Sequence, residues 1–220
     1  MARIARIVVP EYPHHIIQRG NRGQRTFFMD SDYRLYLKFL KKYSIKYNLN
    51  IVSYCLMPNH VHLIVIPEKK EGLALAIGET HKNYTRIINN RNNWKGYFWQ
   101  GRFSSYVLDE TYLYNVLKYI LLNPVKANIV KSPERYKWSS LKHHLGLEKN
   151  QLLNDEILQS IVSSWDYFVK DELKASEIKI FKKHENTGRP LGDVTFITKL
   201  EEKLNISIRK RKPGRKTIKI

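Results

Sequence analysis

The chain has 220 residues, is 42% hydrophobic, and carries 39 Lys and Arg against 20 Asp and Glu, a formal net charge of +19. That apolar content excludes wholesale disorder, and the length allows one ordinary domain or one domain with an appendage. A fold does not need such a charge excess, so it describes a partner: a polyanion, either nucleic acid or an acidic membrane surface.

The run before Pro10 lacks the apolar core of a signal peptide, and no stretch approaches the ~20 apolar residues of a membrane helix. His14–Arg19 reads as a first strand, and Asn21–Gln24 as a loop. Asp30 or Ser31 is the expected cap of a helix running to Tyr47, with apolar residues at three- and four-residue steps. Ile51–Leu56 is a second strand, Pro58-Asn59 a break, and His60–Ile66 a third strand. Cys55 is the single cysteine, which excludes an internal disulfide framework and a cysteine-based zinc site and fits a reducing cytoplasm. Leu73–Ile88 is a second long helix, and Tyr97–Leu108 an aromatic segment that is strand-like at its end. Asp109 or Thr111 caps a third helix that Pro124 must end or kink. The order β-α-β-β-α-β-α is the split βαβ, ferredoxin-like pattern: an α+β fold with an antiparallel sheet and helices on one face.

After Trp138-Ser139-Ser140 the character changes. Asn154–Lys170 and Thr195–Leu204 read as short helices, with Gly188–Gly192 as a breaker between them. The expected organisation is a catalytic domain over 1–148, a small helical extension over 149–208, and a basic tail over 209–220. Seven basic residues and no acid lie between Arg209 and Lys219.

Two short strings carry chemistry. In Met57-Pro58-Asn59-His60-Val61-His62, histidines two apart on a strand project from one face, where two imidazoles can share a cation, and Val61 points into the opposite layer. Alone, the pattern more often marks two partly exposed histidines on a sheet face. In Tyr119-Ile-Leu-Leu-Asn123-Pro124, Tyr119 and Asn123 are four apart and share a helix face. A phenol beside a hard oxygen donor suggests an attacking group beside a ligand for Mg²⁺ or Mn²⁺. Alone, such a tyrosine reads as core.

Together, MPNHVHLIV and YILLNPVKANIV resemble the Y1 transposase group of HUH nucleases, which includes the IS200-like transposases and the REP-associated tyrosine transposases. QRGNRGQRTFF, WQGRF, WSSLKHH and TGRPLGD resemble the REP-associated branch. The resemblance covers residues 10–145 and, more loosely, the C-terminal part. It implies His60 and His62 as metal ligands and Tyr119 as the nucleophile. Where IS200-like members carry Gln as third ligand, this chain has Asn123, and a carboxylate elsewhere or substrate oxygens can complete the sphere. It also implies Mg²⁺ or Mn²⁺ as cofactor, a REP-like single-stranded or hairpin DNA as substrate, and a 5′-phosphotyrosine intermediate. Tyr112 and Tyr114 are rival tyrosines, but neither has Asn four residues later.

Basic residues interleaved with aromatics suit hairpin DNA, with cations on phosphates and rings on bases. Arg19, Asn21, Arg22 and Arg25 form one cluster, and Trp99, Gln100, Arg102 and Phe103 another, with Arg86 on the second helix. A nicking and joining transposase is the first expectation, cytoplasmic and nucleoid-associated in a bacterium, with a monomer favoured over a dimer. The alternatives are a catalytically silent hairpin-binding protein on the same fold and an RNA-binding ferredoxin-like domain. The last gives no reason for the histidine and tyrosine strings.

Overall fold

The structure is a computed structural model that describes residues 6–171 and 173–209. The basic tail expected at 209–220 lies, apart from Arg209, outside the described residues.

Four strands form one antiparallel sheet: β1 (His14–Arg19), β2 (Leu49–Met57), β3 (His60–Pro67) and β4 (Ser104–Val107), in the spatial order β2-β3-β1-β4. That is the ferredoxin-like order. It arises because β2 and β3 form a hairpin through Pro58-Asn59, while β1 pairs with β3 on one side and β4 on the other. The strands alternate, with one irregularity in β2 between Ile51 and Ser53. Ile16, Val61, Leu63 and Val65 enter one core, and Ile17, Val52, Cys55 and Ile64 enter the other.

The first core is closed by α1 (Asp30–Lys46) and α2 (Lys70–Arg91). Phe27 stacks on Tyr33, and Tyr36 and Tyr84 meet edge to face, all buried between the two helices and the sheet. Neither Asp30 nor Ser31 caps α1. The cap is Met29, and buried Asp32 accepts from the backbone N–H groups of Phe28 and Met29. Arg91 holds the same carboxylate through two bonds of 2.5 and 3.1 Å, which ties the start of α1 to the end of α2.

The split βαβ unit thus has its two helices on one face, as its pattern requires. The opposite face, which that pattern leaves open, is also covered. Asp109 accepts from the N–H of Tyr112 and starts α3 (Glu110–Leu121); a separate turn, α4 (Asn123–Lys126), follows with Pro124 in its first positions. Leu113, Val116, Leu117, Ile120 and Leu121 are buried against the second sheet face. The short helices α5 (Leu141–His144), α6 (Glu156–Gln159) and α7 (Trp165–Lys170) lead to α8 (Ala175–Thr187) and α9 (Val194–Leu204). Buried Lys118 of α3 bonds Asp171 at the end of α7, with the rings of Tyr114 and Phe168 beside its ammonium.

Among the described residues, every buried hydrophobic side chain after residue 148 shares a cluster with the sheet or the first strand segment: Leu158, Val162, Phe168, Phe181 and Leu191 in the second core, Leu200 and Ile208 with Ile7, Val9 and Val107. The change near 148 is one of sequence character, not of packing. Helix α8, absent from the sequence reading, inserts Phe181 against the ring of Tyr119 at 5.6 Å between centroids. Truncating a fully buried phenylalanine removes its transfer energy and leaves a cavity. Phe181→Ala is expected to cost about 3–5 kcal/mol, read as a lowered urea midpoint.

Burial holds several histidines neutral. It lowers His14 to about 4, opposed by the Tyr12 carbonyl, His81 to about 3, and His144 to about 4, opposed by Asp155. The unfolded chain protonates these imidazoles near 6.5, so it binds more protons than the folded chain between pH 6.5 and those values. Their contribution to stability is complete above pH 6.5 and falls as the pH drops through that window. Denaturation at pH 7 and pH 5 should show a loss on the order of 1–2 kcal/mol per imidazole. An unchanged midpoint over that interval would refute it.

Candidate active site

Strand β3 emerges from the hairpin turn with His60 and His62 on the second face, 4.9 Å apart between ring centroids and nearly perpendicular. Val61 is buried in the opposite core, as its place in the alternation requires. Tyr119 of α3 packs edge-on to His62, with 5.6 Å between centroids. The phenol and the imidazole pair therefore meet within one chain. Tyr112 and Tyr114 are partly buried against the second core, Tyr114 edge-on to Phe168.

Hydrogen bonds fix which nitrogens face the site. His60 Nδ1 donates to Asn59 Oδ1 at 2.6 Å, and Asn59 donates in turn to the Gly23 carbonyl, which leaves His60 Nε2 with its lone pair. Asn123 Nδ2 approaches His62 Nε2 at 3.2 Å, so that nitrogen accepts. His62 Nδ1 then carries the proton and donates to His15 Nε2 at 2.9 Å, and His15 Nδ1 donates to the Tyr106 hydroxyl at 2.7 Å. A neutral imidazole supplies one donor and one acceptor, and this chain uses each once. Burial, followed by the Arg19 cation, lowers both His15 and His60 to about 3. Burial and the neighbouring imidazoles hold His62 well below the usual range. All three imidazoles are thus neutral at pH 7, the state a ligand must have.

Helix α8 supplies a further group. Glu185 is buried, its Oε2 accepts from Arg19 Nη2 at 3.3 Å, and its Oε1 has no hydrogen-bond partner of ordinary length among the described residues. One ligand atom each from Glu185, His15 and His62 lie within 4.8 Å of one another. Burial raises the Tyr119 phenol above its ordinary range, the Glu185 charge adds to the rise, and Arg19 opposes it. The phenol is therefore neutral and protonated at rest. The donor set of neutral imidazoles and one carboxylate suits a divalent cation, and the orphaned Oε1 is the kind of buried atom such an ion would satisfy.

A cleft of about 330 Å³ opens beside these groups, lined by Arg19, Gln100, Arg102, Ser104 and Glu185 among others. The two basic clusters read from the sequence form one surface. Gln100 N–H donates to the Arg19 carbonyl, Asn21 N–H to the Phe98 carbonyl, and Gly20 pairs with Trp99. Gly20 is required there, because a Cβ would stand 2.2 Å from the Gln24 carbonyl oxygen. Arg22, Arg25, Arg86 and Arg102 are exposed, and Asn21 is half-buried. Trp99 is a correction. Its ring lies in the first core against Phe98, Tyr84 and His81, so it cannot serve as a base-stacking platform, and Phe103 is likewise core. The exposed rings of this surface are Tyr97, 87% exposed, and Trp94, which line a second hollow with Asn21, Arg22 and Lys95.

The sequence reading missed His15, Tyr106 and Glu185 as site residues. His15 carried no local signal, since it shares a face of β1 with Ile17 and only the strand pairing sets Ile17 opposite His62. Glu185 carried none, sitting in a charged stretch that reads as a solvated helix face.

Comparison with known proteins bears on the fold and the family. A Haemophilus influenzae protein named "Putative REP-associated tyrosine transposase" is 29% identical over 113 residues, 46% of this chain and 64% of that protein, so the chain spans less than two thirds of this relative. A solved structure of a REP-associated tyrosine transposase bound to a REP hairpin shares the fold, with a TM-score of 0.57 at 18% identity over 70% of this chain and 98% of that one. The sequence profile described as "Transposase IS200 like" matches residues 8–123, which hold the sheet, the histidine pair, Tyr119 and Asn123. With more than half of its length in that match, the chain belongs to the IS200-like transposase family.

Proposed function

We propose that this protein is a single-strand DNA endonuclease and transposase of the REP-associated kind, cutting and joining hairpin DNA through a tyrosine-linked intermediate. The observation that carries the reading is the meeting of Tyr119 with His62 and His60 on one sheet face. The relative of similar fold is described as bound to a REP hairpin, and the net charge of +19 suits such a partner.

The Tyr119 oxygen attacks the phosphorus of a backbone phosphodiester, and the bond from phosphorus to the 3′ oxygen breaks. The phenol gives up its proton, and the leaving strand takes one to end as a 3′-OH. The 5′-phosphotyrosine keeps the energy of the broken ester, so attack by a 3′-OH in reverse rejoins strands without a nucleotide cofactor. His60 and His62 would hold Mg²⁺ or Mn²⁺, with Asn123 beside them. When bound, such an ion offsets charge that develops on the phosphate oxygens. His15 and Tyr106 keep His62 turned with Nε2 toward the site. Arg19 and Arg102 face the cleft as phosphate contacts. Arg22, Arg25 and Arg86, with Asn21, extend the contact surface and make affinity fall with salt. Because Tyr119 and the histidines come from one chain, the site closes without a second subunit.

The test is direct. Labelled single-stranded hairpins of REP-like imperfect palindromes are incubated with the protein and Mn²⁺ or Mg²⁺, then denatured. A covalent protein–DNA band that vanishes with EDTA is the expected result. Tight hairpin binding without any such band would favour the alternative, a catalytically silent DNA-binding protein on the same fold.

A further inference from the structure

We propose that Glu185 supplies a carboxylate oxygen to the divalent cation held at His62, so that helix α8, outside the stretch matched to the family, completes the catalytic site. The inference rests on the transposase reading, but the residue lies far beyond the motifs that carry that reading.

Four observations converge. The Glu185 side chain is 8% exposed, yet its salt-bridge partner is Arg19, itself 41% exposed and 3.3 Å away, with the Lys182 charge acting from farther off. Its Oε1 is buried and makes no hydrogen bond of ordinary length among the described residues, with the Tyr119 hydroxyl bearing on the carboxylate besides Arg19. A buried carboxylate left half unsatisfied is expensive, and a nearby cation is the usual remedy. One of its oxygens lies within 4.8 Å of ligand nitrogens on His15 and His62. The backbone is also held in place, because Ser104 Oγ donates to the Glu185 carbonyl at 2.6 Å and Phe181, one turn earlier, is locked against Tyr119.

Asn123 sharpens the case. It turns its amide nitrogen, a donor, toward His62 Nε2. Even with the amide reversed it would offer only a neutral oxygen. Hard divalent ions prefer carboxylates, and two neutral imidazoles bring no charge to the site. Glu185 is the residue that supplies it. Burial raises its pKa while Arg19 opposes the rise.

The experiment is calorimetric titration of Mn²⁺ into metal-free full-length protein, with wild type, Glu185→Gln, Glu185→Asp and His62→Ala compared. Glu185→Gln keeps the shape and removes the charge. It should weaken Mn²⁺ binding by about tenfold or more while the thermal midpoint of the metal-free protein stays level or rises. Glu185→Asp should fall between the two, and it carries the test if the Gln variant does not fold. Mn²⁺ binding unchanged in both Glu185 variants but lost in His62→Ala would overturn this inference alone, leaving Glu185 as an anchor for Arg19. Wild type that binds no Mn²⁺ would overturn both this inference and the metal-dependent reading beneath it.

Discussion

Tyr119→Phe is expected to abolish the covalent DNA adduct, a loss of roughly 10³-fold or more, while hairpin affinity stays within twofold of wild type. The ring stays in its slot between His62 and Phe181, so packing is conserved. The lost hydroxyl lies near Glu185, and its removal should change stability by about 1 kcal/mol or less. A gel of denatured reaction products reads the adduct, and a filter-binding or anisotropy titration reads affinity. Binding and chemistry separate here because the contact surface is built from the loop after β1 and the segment before β4, while the phenol comes from α3. If the Phe variant still forms the adduct, another residue is the nucleophile. Tyr114 is a poor substitute, since its ring faces Phe168 and its hydroxyl accepts from Lys118.

The second large effect is expected from the histidines. His60→Ala with His62→Ala should remove metal-dependent cleavage and Mn²⁺ binding together, with hairpin binding retained. The single variants differ in their structural cost. His60 sits at the hairpin turn, 8% exposed, and among the described residues its side chain hydrogen-bonds only its neighbour Asn59, so its removal should leave the fold intact. His62 is fully buried, and its removal strands His15 Nε2 without a donor. An unsatisfied buried acceptor costs about 1–3 kcal/mol, so His62→Ala should lower the urea midpoint where His60→Ala does not. Cleavage at wild-type rate in the double variant would sink the metal reading. Equal destabilisation by both single variants would sink the proposed role of the His15–Tyr106 chain.

The strand and helix order was legible because periodicity is local. HHIIQR and HVHLIVI are short runs with β-branched residues bounded by Pro and Gly, and the first two long helices carry apolar residues at three- and four-residue steps. The register that sets Ile17 opposite His62 was not legible, and with it went His15. In His14-His15 one ring must face each core, and only strand pairing decides which. The bonds from His14 to the Tyr12 carbonyl and from His15 to His62 show the two outcomes side by side. Trp99 failed for the converse reason. An aromatic beside Gln100 and Arg102 looks like a nucleic-acid contact, and only packing against Tyr84 and Phe98 makes it core.

By itself the sequence determined the basic character, the element order through α3, the imidazole pair on one strand and the phenol four residues before Asn123. Each is a property of neighbours along the chain, where bond geometry alone sets which side chains share a face. The tertiary structure decided everything that depends on residues distant in sequence: that the second sheet face is closed rather than open, that α8 lies over Tyr119, and that Glu185 is a buried acid rather than one more solvated charge. Those outcomes follow from burying apolar surface such as Phe181, a force without direction along the chain, which drags its polar neighbours wherever the packing goes.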